Sequence, residues 1–200
     1  MNHKFKASYW FLVLALLGAC SQGSSNEGDA LFEAGKYEQA VSVYSSILEN
    51  DPKNIRALYH RGRAYEELGQ LEAAESDFKS AYGEDQKNTQ VLLGLSNLYQ
   101  KMQQHEMSLQ YANYAVELSG APPTAYFLRG RAYHQLGNTG NALKDYDVAI
   151  DMNPDYGQAF YYRGMLKLNL KRNAAACADL KKAVALDHEQ AREASATYCE

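Results

Sequence analysis

Two hundred residues with 46% apolar side chains suffice to bury the core of one domain. A formal charge of -4 gives no electrostatic ground for a nucleic-acid partner. No phosphate-binding glycine loop, nucleophile-elbow serine or cysteine–histidine zinc spacing occurs, so no enzyme, cofactor or metal site is expected.

The chain opens with a short basic segment, Lys4 and Lys6, and nine apolar residues at 9–17. Nine are too few to span a bilayer but suit a signal-peptide core. The next step, Leu17-Gly18-Ala19-Cys20, resembles the lipobox of bacterial lipoproteins. That resemblance implies a signal peptide over residues 1–19 and acyl chains on Cys20, the new N-terminus. It also implies a cell-envelope location. Ser21, rather than Asp, resembles the version sorted to an outer membrane. Each buried methylene contributes about 0.8 kcal/mol, so several acyl chains anchor a protein without a spanning helix. An ordinary secretory signal with a stray cysteine, or a buried N-terminal helix, is the competing reading. Residues 20–26 are read as a lipidated polar tether and residues 27–200 as the folded body.

The body repeats itself. Small residues recur at Gly28, Gly62, Ser96, Gly130 and Gly164, every step being 34. A second series, Ala40, Ala74, Ser108, Ala142 and Ala176, keeps that step and follows the first by 12 residues. Where two antiparallel helices cross, small residues let the backbones approach while larger neighbours interdigitate. Leu58, Tyr65 and Leu68 flank Gly62, and Leu71, Phe78 and Ala81 flank Ala74, at helical spacings of three and four. Gly69 and Gly137 stand where a first helix must stop. Asn54 and Asp155 are placed to cap the next first helix, and Pro52 and Pro154 end the second helices.

These residues resemble tetratricopeptide repeats. The pattern is carried by Leu58, Gly62, Tyr65, Ala74, Phe78 and Ala81 in copy two. Tyr126, Gly130, Tyr133, Ala142, Tyr146, Ala149 and Pro154 carry it in copy four. Five copies cover residues 21–188. The resemblance implies an all-α, right-handed α-solenoid of five helix hairpins. Copy one begins weakly, with Ser24 in place of a large residue. Copy three departs most: Ser96, Ser108 and Ala112 break the pattern, and Gln103 replaces the turn glycine, predicting a looser turn. Copy five drifts at Lys167 and Lys171. Residues 188–198, with a stripe of Ala191, Ala194 and Tyr198, read as a C-terminal capping helix.

With Cys20 lipidated, Cys177 and Cys199 remain as a pair. An antiparallel turn near residues 187–188 brings them together, and an exported protein meets conditions that permit a disulfide. Closing that loop would stabilise by roughly 3 kcal/mol; two unpaired, buried thiols are the bland alternative. Arg61, Arg129 and Arg163 occur in the same three copies as Asp77, Asp145 and Asp179, always 16 residues apart. This co-occurrence reads as structural ion pairs, within a repeat or between neighbours, against three independent surface charges.

A ladder of Tyr59, Leu93, Phe127 and Tyr161 runs along the first helices, beside Arg63, Asn97, Arg131 and Met165. On the concave side these would form an apolar groove with two arginines, suited to a protein or peptide partner carrying acidic groups. The same ladder serves equally to pack neighbouring first helices. Asn97 alone fits the lysine and asparagine positions of the family's chaperone-tail clamp, so that specificity is not carried over. A carbohydrate or peptidoglycan binder, stacking sugars on Tyr59, Phe127, Tyr161 and Tyr162, is the alternative. Glu66, Glu67 and Glu117 read as solvated helix faces, and the histidines are too scattered for a metal-bearing helix.

Overall fold

The computed structural model describes residues 24–199, which form eleven α-helices and no strand among the described residues. Residues 1–19, expected as a signal peptide, and Cys20, expected to be acylated, lie outside them. Five hairpins follow in order. They are α1 (Ser25–Glu33) with α2 (Tyr37–Asn50), α3 (Ile55–Glu67) with α4 (Leu71–Glu84), and α5 (Thr89–Lys101) with α6 (His105–Glu117). Then come α7 (Pro123–Gln135) with α8 (Thr139–Met152), and α9 (Gly157–Asn169) with α10 (Asn173–Ala185). The last helix, α11 (Glu189–Tyr198), packs on α10. Among the described residues no helix is long and apolar enough to cross a membrane.

Capping fixes where several helices begin. Ser24, Asn54, Asn88 and Asn138 each accept a hydrogen bond from the backbone N–H three residues on. The Ser24 cap starts α1 at Ser25, so Ser25 and Asn26, expected in the tether, are helical. Asp155 does not cap α9. The cap register runs 54, 88, 122 and 156, and places Tyr156, not Asp155, at that position.

The two small series meet across each hairpin. A Cβ placed on Gly28, Gly62 or Gly130 would stand 2.6, 2.8 or 2.9 Å from a ring carbon of Tyr44, Phe78 or Tyr146. On Gly164 it would meet Leu180 at 3.1 Å and the Ala176 carbonyl at 3.3 Å. Ala40, Ala74, Ala142 and Ala176 are wholly buried. Copy three reaches the same crossing by another route. Its Ser96 hydroxyl donates to the Ser108 carbonyl at 3.1 Å and lies 3.2 Å from the Ser108 hydroxyl, so a buried polar pair satisfies itself.

The turn of copy three is not looser. Gln103 takes φ 59° and Lys171 φ 57°, beside 71°, 72° and 76° at Gly35, Gly69 and Gly137. The closing bond is also kept: Gln104 N–H donates to the Tyr99 carbonyl at 2.9 Å, as Gln70 N–H does to Tyr65. Packing on both sides holds the turn, and the side chain tolerates a left-handed backbone that glycine would adopt without strain.

Each consecutive pair of first helices is in contact, from α1 to α9, whereas consecutive second helices make no comparable contact among the described residues. The first helices therefore form the tighter inner row of a curved rod. Bidentate ion pairs brace it. Arg61 grips Asp77 through two bonds of 2.7 Å, as Arg129 grips Asp145, and Arg163 holds Asp179 at 2.9 and 2.7 Å. Arg61 also donates to Ser45 at 3.0 Å and Arg163 to Asp147 at 2.6 Å, both on the preceding second helix. Both placements read from the sequence thus occur, within a repeat and between neighbours. Lys167 of the drifting fifth copy joins Asp179 at 2.7 Å. Copy three has Leu95 and Tyr111 in these places, and Tyr111 stacks on Tyr99 at 5.5 Å instead.

At the C-terminal end, Cys177 and Cys199 are joined as a disulfide with Cα atoms 5.4 Å apart. Ala191 and Ala194 of α11 are buried, but Tyr198 is 56% exposed and drops out of the expected stripe. Position 198 continues the glycine register after Gly164, and among the described residues no second helix covers a ring there. Gln103→Gly should relieve the strained turn and raise the unfolding free energy by about 0.5–1 kcal/mol. A urea-unfolding midpoint that is unchanged or lowered would contradict the comparison of turns.

Candidate functional site: a groove between the first helices

Helices α3, α5, α7 and the start of α9 wall a cavity of about 260 Å³ on the inner face. Six of the eight residues expected in the groove line it: Tyr59, Arg63, Leu93, Asn97, Phe127 and Arg131. Tyr161 and Met165 do not. Tyr161 stacks instead on His188 at 4.7 Å, next to the capping helix. Phe127 is only 2% exposed, enclosed by the rings of Tyr146, Tyr156 and Tyr162 at 6.1, 5.1 and 5.6 Å. It is floor rather than a reaching contact. Tyr156 closes over it from the cap register, where other copies have Asn54, Asn88 and Pro122.

The cavity opens where the repeat is interrupted. Positions 60, 94, 128 and 162 are in register, and Gly94 alone among them has no side chain. A Cβ there would stand 3.3 Å from the Tyr59 ring, so the missing atom lets that ring lie back against α5. The neighbouring depression of about 480 Å³ between the starts of α3 and α5 is less suited to a ligand, because its Arg56 is already bonded to Asp29.

Glu66 belongs to this site and is not a solvated face. Its carboxylate accepts from Asn97 Nδ2 at 2.7 Å and lies 3.0 Å from Lys101 Nζ, both at Oε1. Arg63 Nε stands 3.5 Å from Oε2, which makes no hydrogen bond. Helix α5 covers the residue, and two amphipathic cations offset its charge, which makes its burial affordable. The sequence signal was register: Gln100, 34 residues on, is buried as well.

Arg131 has a different environment. Its guanidinium lies over Tyr162 at 4.7 Å and Phe127 at 5.8 Å, a cation–π arrangement. Its Nε is buried without an acceptor, and no carboxylate among the described residues pairs with it. Burial, and secondly the charge of Arg131, hold the neighbouring His134 below the ordinary histidine range. The lining thus sets Arg63 and Arg131 against the single carboxylate of Glu66, which Lys101 also contacts, within a chain whose formal charge is -4. Of the four rings that sugar stacking would use, Tyr59 is half-buried and lines the cavity, and the other three are differently placed. Phe127 is buried, Tyr162 is covered by Arg131, and Tyr161 by His188.

Residues 25–89, 123–156 and 157–190 each match a family model described as tetratricopeptide repeat. These spans leave out residues 90–122, where copy three departs from the pattern. Among solved structures, YrrB, described as a TPR protein with an unusual peptide-binding site, is 26% identical, with a TM-score of 0.65 over 84% of this chain and 88% of its own. PilW, described as a type IV pilus biogenesis factor, is 19% identical, with a TM-score of 0.76 over 81% of this chain and 75% of its own. MamA from Desulfovibrio magneticus is 18% identical, with a TM-score of 0.71 over 85% and 99%.

Proposed function

Because the chain is built from tetratricopeptide repeats, we propose that it is a non-enzymatic scaffold holding a protein or peptide partner in its concave groove. The observation that carries this reading is the cavity between α3, α5 and α7, with Arg131 on its wall and no carboxylate among the described residues paired to it. Such a lining favours a partner that brings acidic groups. The likeness to YrrB, at 26% identity, supports a peptide as occupant.

The second half of the proposal concerns place. The Leu17-Gly18-Ala19-Cys20 step after an apolar run supports acylation of Cys20 and anchoring to the bacterial cell envelope, with Ser21 favouring an outer membrane. A scaffold tethered so would gather components at the membrane surface, which suits assembly of an envelope complex.

Two experiments test the two halves separately. A photo-cross-linking residue at Gln158, on the cavity rim, should give a discrete protein adduct in cells, and one at exposed Lys144 on α8 should not. Equal adducts from both positions, or none from Gln158, would contradict the groove. In a host that processes lipoproteins, a clickable fatty acid should label the wild-type chain. Cys20→Ser should lose that label and leave the membrane fraction. Wild-type protein that takes up no label would contradict the anchor.

A further inference from the structure

Two polar atoms in the cavity are buried and unmatched, and they differ in kind. The Glu66 side chain is 1% exposed, and both of its close partners sit on Oε1. Lys101 and Arg63 already offset its charge, so Oε2 offers an acceptor to a neutral N–H rather than a berth for another cation. Arg131 presents the complementary need. Its charge rests on aromatic faces, and its Nε lacks an acceptor. Each unmatched group costs free energy that a suitable ligand recovers.

The two groups are too far apart for a single residue. Helix α5 separates α3 from α7, and neighbouring axes lie about 8–10 Å apart, so Glu66 and Arg131 approach from helices roughly 16–20 Å apart. Their side chains close part of that gap and leave the length of about two to four extended residues. A helix, about 10–12 Å across, is too thick for a cavity of this volume. Between the polar ends lie Leu93 and Leu128, an apolar floor.

Resting on the reading of the groove as a peptide site, we propose that it recognises an internal, extended segment of a partner protein. A main-chain N–H of that segment donates to Glu66 Oε2, an apolar side chain lies on Leu93 and Leu128, and an Asp or Glu a few residues away pairs with Arg131. The acid is an internal side chain, so no free chain end is needed. Glu66 and Arg131 then determine specificity from opposite walls.

The probe is a library of short peptides, N-acetylated and C-amidated so that no terminal charge competes, selected on the full chain. Asp or Glu should be enriched a few positions from an apolar residue. Arg131→Met should weaken the acidic peptides by about 10- to 100-fold while leaving their Asn and Gln counterparts unchanged. Glu66→Gln should weaken acidic and neutral peptides alike, and N-methylation of the donating amide should do the same without altering the protein. No acidic enrichment, an acid preference that survives Arg131→Met, or binding that requires a free C-terminus overturns the inference. If no peptide is enriched while Gln158 still cross-links a protein, this inference falls and the scaffold reading stands. If the cross-link is absent too, both fall.

Discussion

Two helices approach closely only where one of them leaves room, and in this chain the room is the missing Cβ of a glycine. At Gly28, Gly62 and Gly130 the vacated space is taken by an aromatic ring from 16 residues on, and at Gly164 by Leu180. Those rings are fully buried, so a side chain added opposite them has nowhere to displace them. Because a small residue returns every 34 residues, glycine in four copies and Ser96 in the third, each hairpin closes in much the same way and the next packs on it alike. Curvature, and with it an inner row of first helices, follows from repetition of that one contact. The arginine–aspartate pairs add register, since desolvation offsets much of what such pairs gain in stability.

The candidate groove lies where the repetition lapses. Copy three has no arginine–aspartate pair, uses serines at the crossing, forces Gln103 into a left-handed turn and places Gly94 where its neighbours carry side chains. Two of these departures are compensated locally: hydroxyl by hydroxyl at the crossing, and ion pair by stacked tyrosines. What remains is a cavity with a buried acid on one wall and an unpaired arginine on another. A local departure from an otherwise consistent pattern is where a binding site is expected.

The architecture was legible because it depends on residue size at a fixed period, and size is written in the sequence. The helix pairs, the crossings at Gly62 and Gly130 and the ion pairs follow from that period, and the cysteine pair from the antiparallel turn near residues 187–188. Groove residues were legible only in register: Tyr59, Arg63 and Arg131 reach the cavity, but Phe127 in the same ladder lies beneath Tyr156. Whether a ladder residue is wall or floor depends on a neighbour from another copy, which periodicity does not reveal. Glu66 was misread for a related reason. A carboxylate on a helix reads as solvated until Asn97 and Lys101, from the following repeat, are seen to close over it. Gln103 shows the opposite limit, a turn in which tertiary packing overrides a local preference.

The most direct test of the packing account compares two glycines by urea unfolding. Gly130 faces the buried ring of Tyr146, whereas Gly140, on α8, has nothing within 4 Å of an added Cβ. Gly130→Ala should destabilise by about 1–3 kcal/mol through overpacking, and Gly140→Ala should stabilise by roughly 0.5–1 kcal/mol through helix propensity. Equal responses at the two positions would mean that close approach at the crossing does not govern the rod.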